Sequence, residues 1–153
     1  MASTFSTDLA LELVATGEKA GLWGSITNTN LQILQQSTTG VVDVAMTASS
    51  DKTLLLSDGA TSDGKNLYLK LTGTMTGNVN LIIPASPTMG DEVSIMDVSA
   101  SGGFGTNKVI LDRNGSNIRG AASNLDLASN NQSIKLRFTN STKGWQYVYN
   151  QTT

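Results

Sequence analysis

The sequence predicts a mainly β protein: one β-sandwich, jelly-roll-like domain carrying an N-terminal arm and one short helix. Three observations lead there. Only 14% of the 153 residues are charged and the 39% hydrophobic share is modest, the balance being Ser, Thr, Asn and Gly with just 2 Pro; small polar turns between short apolar runs are the makeup of all-β chains. About nine short strand candidates follow one another from residue 41 onward. The turn signals between them, Ser57-Asp58-Gly59, Asp63-Gly64, Thr76-Gly77-Asn78, Gly102-Gly103 and Asn114-Gly115, recur at the spacing of a sandwich rather than of βαβ units.

Residues 1–8 are small and polar and read as a flexible or docking end. Leu9, Leu11 and Leu13 alternate as on one face of a short strand, although Ala, Leu and Glu in the same stretch also favour helix. A glycine-punctuated loop, 16–24, carries Trp23, which must bury itself in its own domain or in a neighbouring subunit. Residues 25–36 form the one predicted helix, with Ser25 or Thr27 as cap, Gly40 as stop, and Ile26, Ile33 and Leu34 on one face.

The strand candidates are 41–48, 53–56, 66–71, 79–83, 92–98, 108–111, 125–127, 133–139 and 145–149. Leu81-Ile82-Ile83 is apolar on both sides, which suits a central strand or a subunit contact, and Pro84 ends it. Ile134, Leu136 and Phe138 point one way and Lys135 and Arg137 the other, while Trp145, Tyr147 and Tyr149 share a face, expected to pack in the core or at a subunit contact rather than to stack on sugar rings, since an alternating strand face normally turns inward. The division expected is an arm, 1–40, and a β domain, 41–153.

The inventory narrows the chemistry. There is no Cys and no His, so thiolate zinc sites, Ser-His-Asp and Cys-His machinery are ruled out. Paired carboxylates, Ser-Lys and oxygen-ligated calcium remain; Asp91-Glu92 and Asp43, Asp51, Asp58, Asp63 and Asp97 are available for the first, but acidic residues in Gly-bearing turns are ordinary turn residues. The stretch 58–64 lacks the alternating ligands and terminal Glu of a calcium loop, and 102–106 lacks the Gly-Lys-Ser/Thr of a phosphate loop. No enzymatic activity, metal or cofactor is therefore expected.

A net charge of −2 argues against nucleic-acid binding, and no apolar stretch is long enough to span a bilayer. No basic-then-apolar leader opens the sequence, so a soluble protein made in a cytoplasm is expected. The charge is unevenly spread, with four basic and ten acidic groups in 1–98 against six and two in 99–153. Such a split suits head-to-tail docking, and scattered surface charge produces it as well.

Two stretches carry a resemblance. Residues 11–30, with Gly17-Glu18, Gly21, Trp23-Gly24 and Thr27-Asn28-Thr29-Asn30, resemble the opening of structural and tail-fibre proteins of tailed phages of marine bacteria and cyanobacteria. Gly90-Asp91-Glu92-Val93-Ser94-Ile95, Asp112-Arg113-Asn114-Gly115-Ser116-Asn117-Ile118 and Thr142-Lys143-Gly144-Trp145 resemble a module near the end of phage fibre and baseplate proteins. Leu22 departs from the first pattern, where a small or polar residue is common, and only four residues follow Tyr149, so no long shaft is expected.

The resemblance implies a virion protein assembled in the host cytoplasm, a homo-oligomer (a trimer first) that contacts capsid or tail proteins. Leu11, Leu13, Trp23 and Ile26 are the expected assembly contacts. Asp58, Asp63, Phe104 and Trp145 are the candidates for surface recognition, including of a host glycan. Tail fibre, capsid decoration or cement, and carbohydrate-binding module remain alternatives.

Overall fold

A computed structural model describes residues 3–6, 9, 11–45, 51–54, 68–72, 77–99 and 103–152. The strands are β1 (Thr4–Phe5), β2 (Glu12–Leu13), β3 (Val41–Ala45), β4 (Lys52–Thr53), β5 (Tyr68–Thr72), β6 (Val79–Ile82), β7 (Glu92–Asp97), β8 (Val109–Asp112), β9 (Leu125–Leu127), β10 (Ser133–Asn140) and β11 (Gly144–Gln151), and the helix is α1 (Trp23–Thr39). Each of the nine predicted strands after residue 40 is represented. The predicted turns at 57–59 and 63–64, with Asp58 and Asp63, lie outside the described residues, as do 46–48, 55–56 and 66–67 at the ends of three strand candidates.

Two sheets form the body, in the orders β11-β10-β7-β5-β3 and β4-β6-β8-β9. Their inward side chains make one apolar core: Val44, Val93, Ile95, Ile134, Leu136 and Trp145 from the first sheet meet Val79, Leu81, Val109, Leu111 and Leu127 from the second. The two-layer expectation holds. Its winding is not that of a jelly roll, whose strands run antiparallel. From β3 to β8 the chain alternates between the sheets, and each return lays a strand parallel to the one before: β3 with β5, β5 with β7, β4 with β6, β6 with β8. Only β9, β10 and β11 close the body with antiparallel pairs.

Side chains follow the period of two. Ile134, Leu136 and Phe138 are buried while Lys135 and Arg137 face outward, as expected. The apolar Leu81-Ile82-Ile83 run belongs to β6, an interior strand of its sheet. On β11 the expected shared aromatic face breaks, because Lys135 pairs with Tyr149 whereas Leu136 pairs with Tyr147, leaving Val148 as a bulge. Cross-strand partners share a face, so Tyr147 lies on the Leu136 side and Tyr149 turns outward with Lys135.

The helix is longer than expected, 17 residues rather than the span 25–36, and neither Ser25 nor Thr27 caps it: Leu22 occupies that position without a side-chain bond. Gly40 does end it, in extended conformation, with its N–H donating to the Gln36 carbonyl. The segment before it is a hairpin. Of the expected strand at 9–14 only Glu12–Leu13 is strand, as β2, while Leu9, Leu11 and Val14 lie outside it and Ala10 is not among the described residues; β1, unforeseen in the polar first residues, pairs with β2 antiparallel.

Candidate assembly surface

Side-chain hydrogen bonds order the described part of the arm. Ser6 closes the β1–β2 hairpin, its N–H donating to the Leu11 carbonyl (3.0 Å) and its hydroxyl accepting from the Leu11 N–H (2.9 Å). Asn30 then clamps the hairpin to the helix: its Oδ1 accepts from the Glu12 N–H and its Nδ2 donates to the Glu12 carbonyl, both at 3.0 Å. A side-chain amide satisfies both polar groups of one residue this way, as a neighbouring strand would. Lys19 adds a solvated ion pair to Glu12 at 3.6 Å.

Burial splits the four predicted assembly residues. Leu11 and Ile26 are half-buried within the chain, whereas Leu13 and Trp23 are exposed, Trp23 at 53%. Phe5, Leu22, Leu31, Leu34 and Val41 are exposed as well. Ile33 is the one fully buried residue described on α1, and no described arm residue belongs to the core cluster of the body. The face expected to unite Ile26, Ile33 and Leu34 is therefore divided, with Ile26 and Ile33 turned inward and Leu34 outward. Leu31, which the sequence reading left unused, shares the outward stripe, and its three-residue spacing from Leu34 was the signal available.

The two predicted recognition residues that are described lie inside instead. Trp145 is fully buried and meets Phe138 edge-on, with ring centroids 5.6 Å apart. Phe104 is likewise a core plug. Its backbone is anchored by buried Asp97, which accepts the Ser99 N–H on Oδ1 and the Phe104 and Asn131 N–H groups on Oδ2. A Cβ on Gly103 would stand 2.7 Å from that Oδ2, so only glycine lets the loop close on the carboxylate. Of the three β11 aromatics, Tyr147 is half-buried under the Arg119 guanidinium, 5.0 Å from its ring centre, and only Tyr149 is exposed.

Asp91 and Glu92 are each engaged structurally. The Asp91 carboxylate accepts the Thr88 N–H (2.8 Å) and hydroxyl (3.0 Å). Glu92, buried on the outer side of β7, is clamped by Lys135 (2.6 Å) and by both Nε and Nη2 of Arg137. Among the described residues no group of acidic side chains is placed to hold a metal ion.

The three segments of the second resemblance meet in space. Trp145 N–H donates to the Asn117 carbonyl (2.9 Å), Arg119 N–H to the Trp145 carbonyl (2.8 Å), and the Asn117 amide to the Thr142 carbonyl (3.0 Å). Gly90 N–H donates to the Phe138 carbonyl at 3.0 Å, tying in the first segment through β10. These contacts knit one end of the body together. Neither the family models nor the curated proteins compared with this chain match it.

Proposed function

We propose that this protein is a non-enzymatic structural component of a tailed-phage particle, tail-fibre-like or on the capsid surface, acting by homo-oligomeric assembly through its arm. The observation that carries the assembly role is the number of large apolar side chains, Leu13, Leu22, Trp23, Leu31 and Leu34, left exposed on a segment none of whose described residues belongs to the core of the body. Large apolar side chains exposed along one side of an element, as Trp23, Leu31 and Leu34 are on α1, mark interaction surfaces. The engagement of Asp91, Glu92 and Asp97 in ion pairs and loop anchoring supports a structural rather than a catalytic role for the body. The virion setting rests on the sequence resemblance of residues 11–30 and of the 90–95, 112–118 and 142–145 segments.

The test is quantitative mass spectrometry of purified particles, taking copy number relative to the major capsid protein. A sizeable fraction of one copy per capsid subunit identifies a decoration protein; a few per cent identifies a tail component. Absence from the particle sinks the virion reading. Glycan recognition through Trp145 is not proposed, because that ring has no exposed face.

A further inference from the structure

The exposed side of α1 is patterned. Trp23, Thr27, Leu31, Leu34 and Thr38 follow one another at spacings of four, four, three and four residues, which puts them on one stripe of a helix about 25 Å long. Their neighbours Ile26 and Ile33 lie on a separate, inward stripe. All five stripe residues are exposed, Leu31 at 57%. Spacings of three and four are those of a seam that meets another helix knobs-into-holes.

The helix also lacks the means to stand alone. Nine of its 17 residues are Gly, Ser, Thr or Asn, all weak helix formers. No side chain caps it, and neither its first turn carries an acid nor its last turn a base. Packing must supply the missing stability.

Its composition indicates the partner. No residue of Trp23–Thr39 is charged, so copies laid side by side meet no like-charge repulsion. Asn, Gln, Ser and Thr each both donate and accept hydrogen bonds, so such a surface complements itself. A helix lying on a lipid surface would carry a Lys/Arg-rich polar face, which this one does not have. We propose that α1 is a self-association helix whose Trp23–Thr27–Leu31–Leu34–Thr38 stripe packs against the same stripe of a second copy of this chain. The proposal rests on the assembly reading above and specifies its partner.

The experiment is sedimentation equilibrium on the full chain, with far-UV circular dichroism as a check on folding. Wild type gives an integer multiple of 16.0 kDa. The double variant Leu31→Glu/Leu34→Glu runs as a monomer with its β spectrum retained, and Gln32→Glu, off the stripe, assembles as wild type does. Thr27→Glu gives the same dissociation without removing any apolar side chain, which covers loss of folding in the double variant. A wild type that is monomeric at its highest soluble concentration overturns the proposal, as does a folded Leu31→Glu/Leu34→Glu variant that still assembles. The second result leaves assembly intact and moves the contact elsewhere, whereas failure of the virion reading shows separately as absence from particles.

Discussion

At the scale of single residues, the tightest constraint is at Gly144. A Cβ there would stand 1.7 Å from the Asn117 carbonyl oxygen, and the backbone sits at φ +66°. Gly144→Ala must therefore push apart the contact that seats Trp145, and we expect a loss of at least about 3 kcal/mol, at the high end for single substitutions. Gly115 has a positive φ as well, but nothing stands within 4 Å of its Cβ position. Gly115→Ala should cost only about 1 kcal/mol. Urea denaturation of both variants checks the ordering, and equal costs would refute the steric account. Glu92 offers a second residue-scale test: it is buried between Lys135 and Arg137, so Glu92→Ala leaves two cations uncompensated. A cost of about 2 to 4 kcal/mol is expected, with a smaller cost in a Lys135→Met background, where one of those cations is already gone.

Among the elements, the arm and the body make separable predictions. Asn30 is the bond between hairpin and helix, and its two contacts go to one residue, Glu12. Asn30→Ala should raise hydrogen exchange at the Glu12 amide while the thermal midpoint of the body stays within about 2 °C, because loosening a segment outside the core costs only local stability. Deleting residues 1–40 should likewise leave a cooperatively folding β body, since no described residue before Val42 packs on its core. The same deletion should abolish oligomers. Loss of folding in calorimetry would show instead that the arm is part of the folding unit.

For the molecule as a whole, the winding governs behaviour. Each of the parallel pairs β3–β5, β5–β7, β4–β6 and β6–β8 joins strands separated by a crossing to the other sheet. Such contacts close long loops before any pairing energy is gained. Refolding after a denaturant jump should therefore be slow, on the order of milliseconds to seconds, and microsecond refolding would contradict the topology. The body's two layers share a single core, so Leu81→Ala in β6 should destabilise both sheets together by about 2 to 5 kcal/mol in one transition.

Local chemistry was legible along the chain wherever neighbours in sequence decide it. The alternation of Ile134, Leu136 and Phe138 against Lys135 and Arg137, the Asn114-Gly115 turn with both residues at positive φ, and the absence of His and Cys could all be read without a structure. They depend on the period of a strand, the steric freedom of two residues and a count. Tertiary structure alone decided the rest. Parallel winding replaced jelly-roll pairing because pairing partners lie some 25 residues apart, beyond any local signal. Phe104, named for surface recognition, lies in the core, where buried Asp97 accepts its N–H, and Trp145 lies in the core, the reading favoured over sugar stacking, where Asn117 pins the start of β11. Trp23 and Leu31 stayed outside for the converse reason: hydrophobicity says that a side chain seeks burial, and only the packed chain shows which ones its own fold leaves exposed.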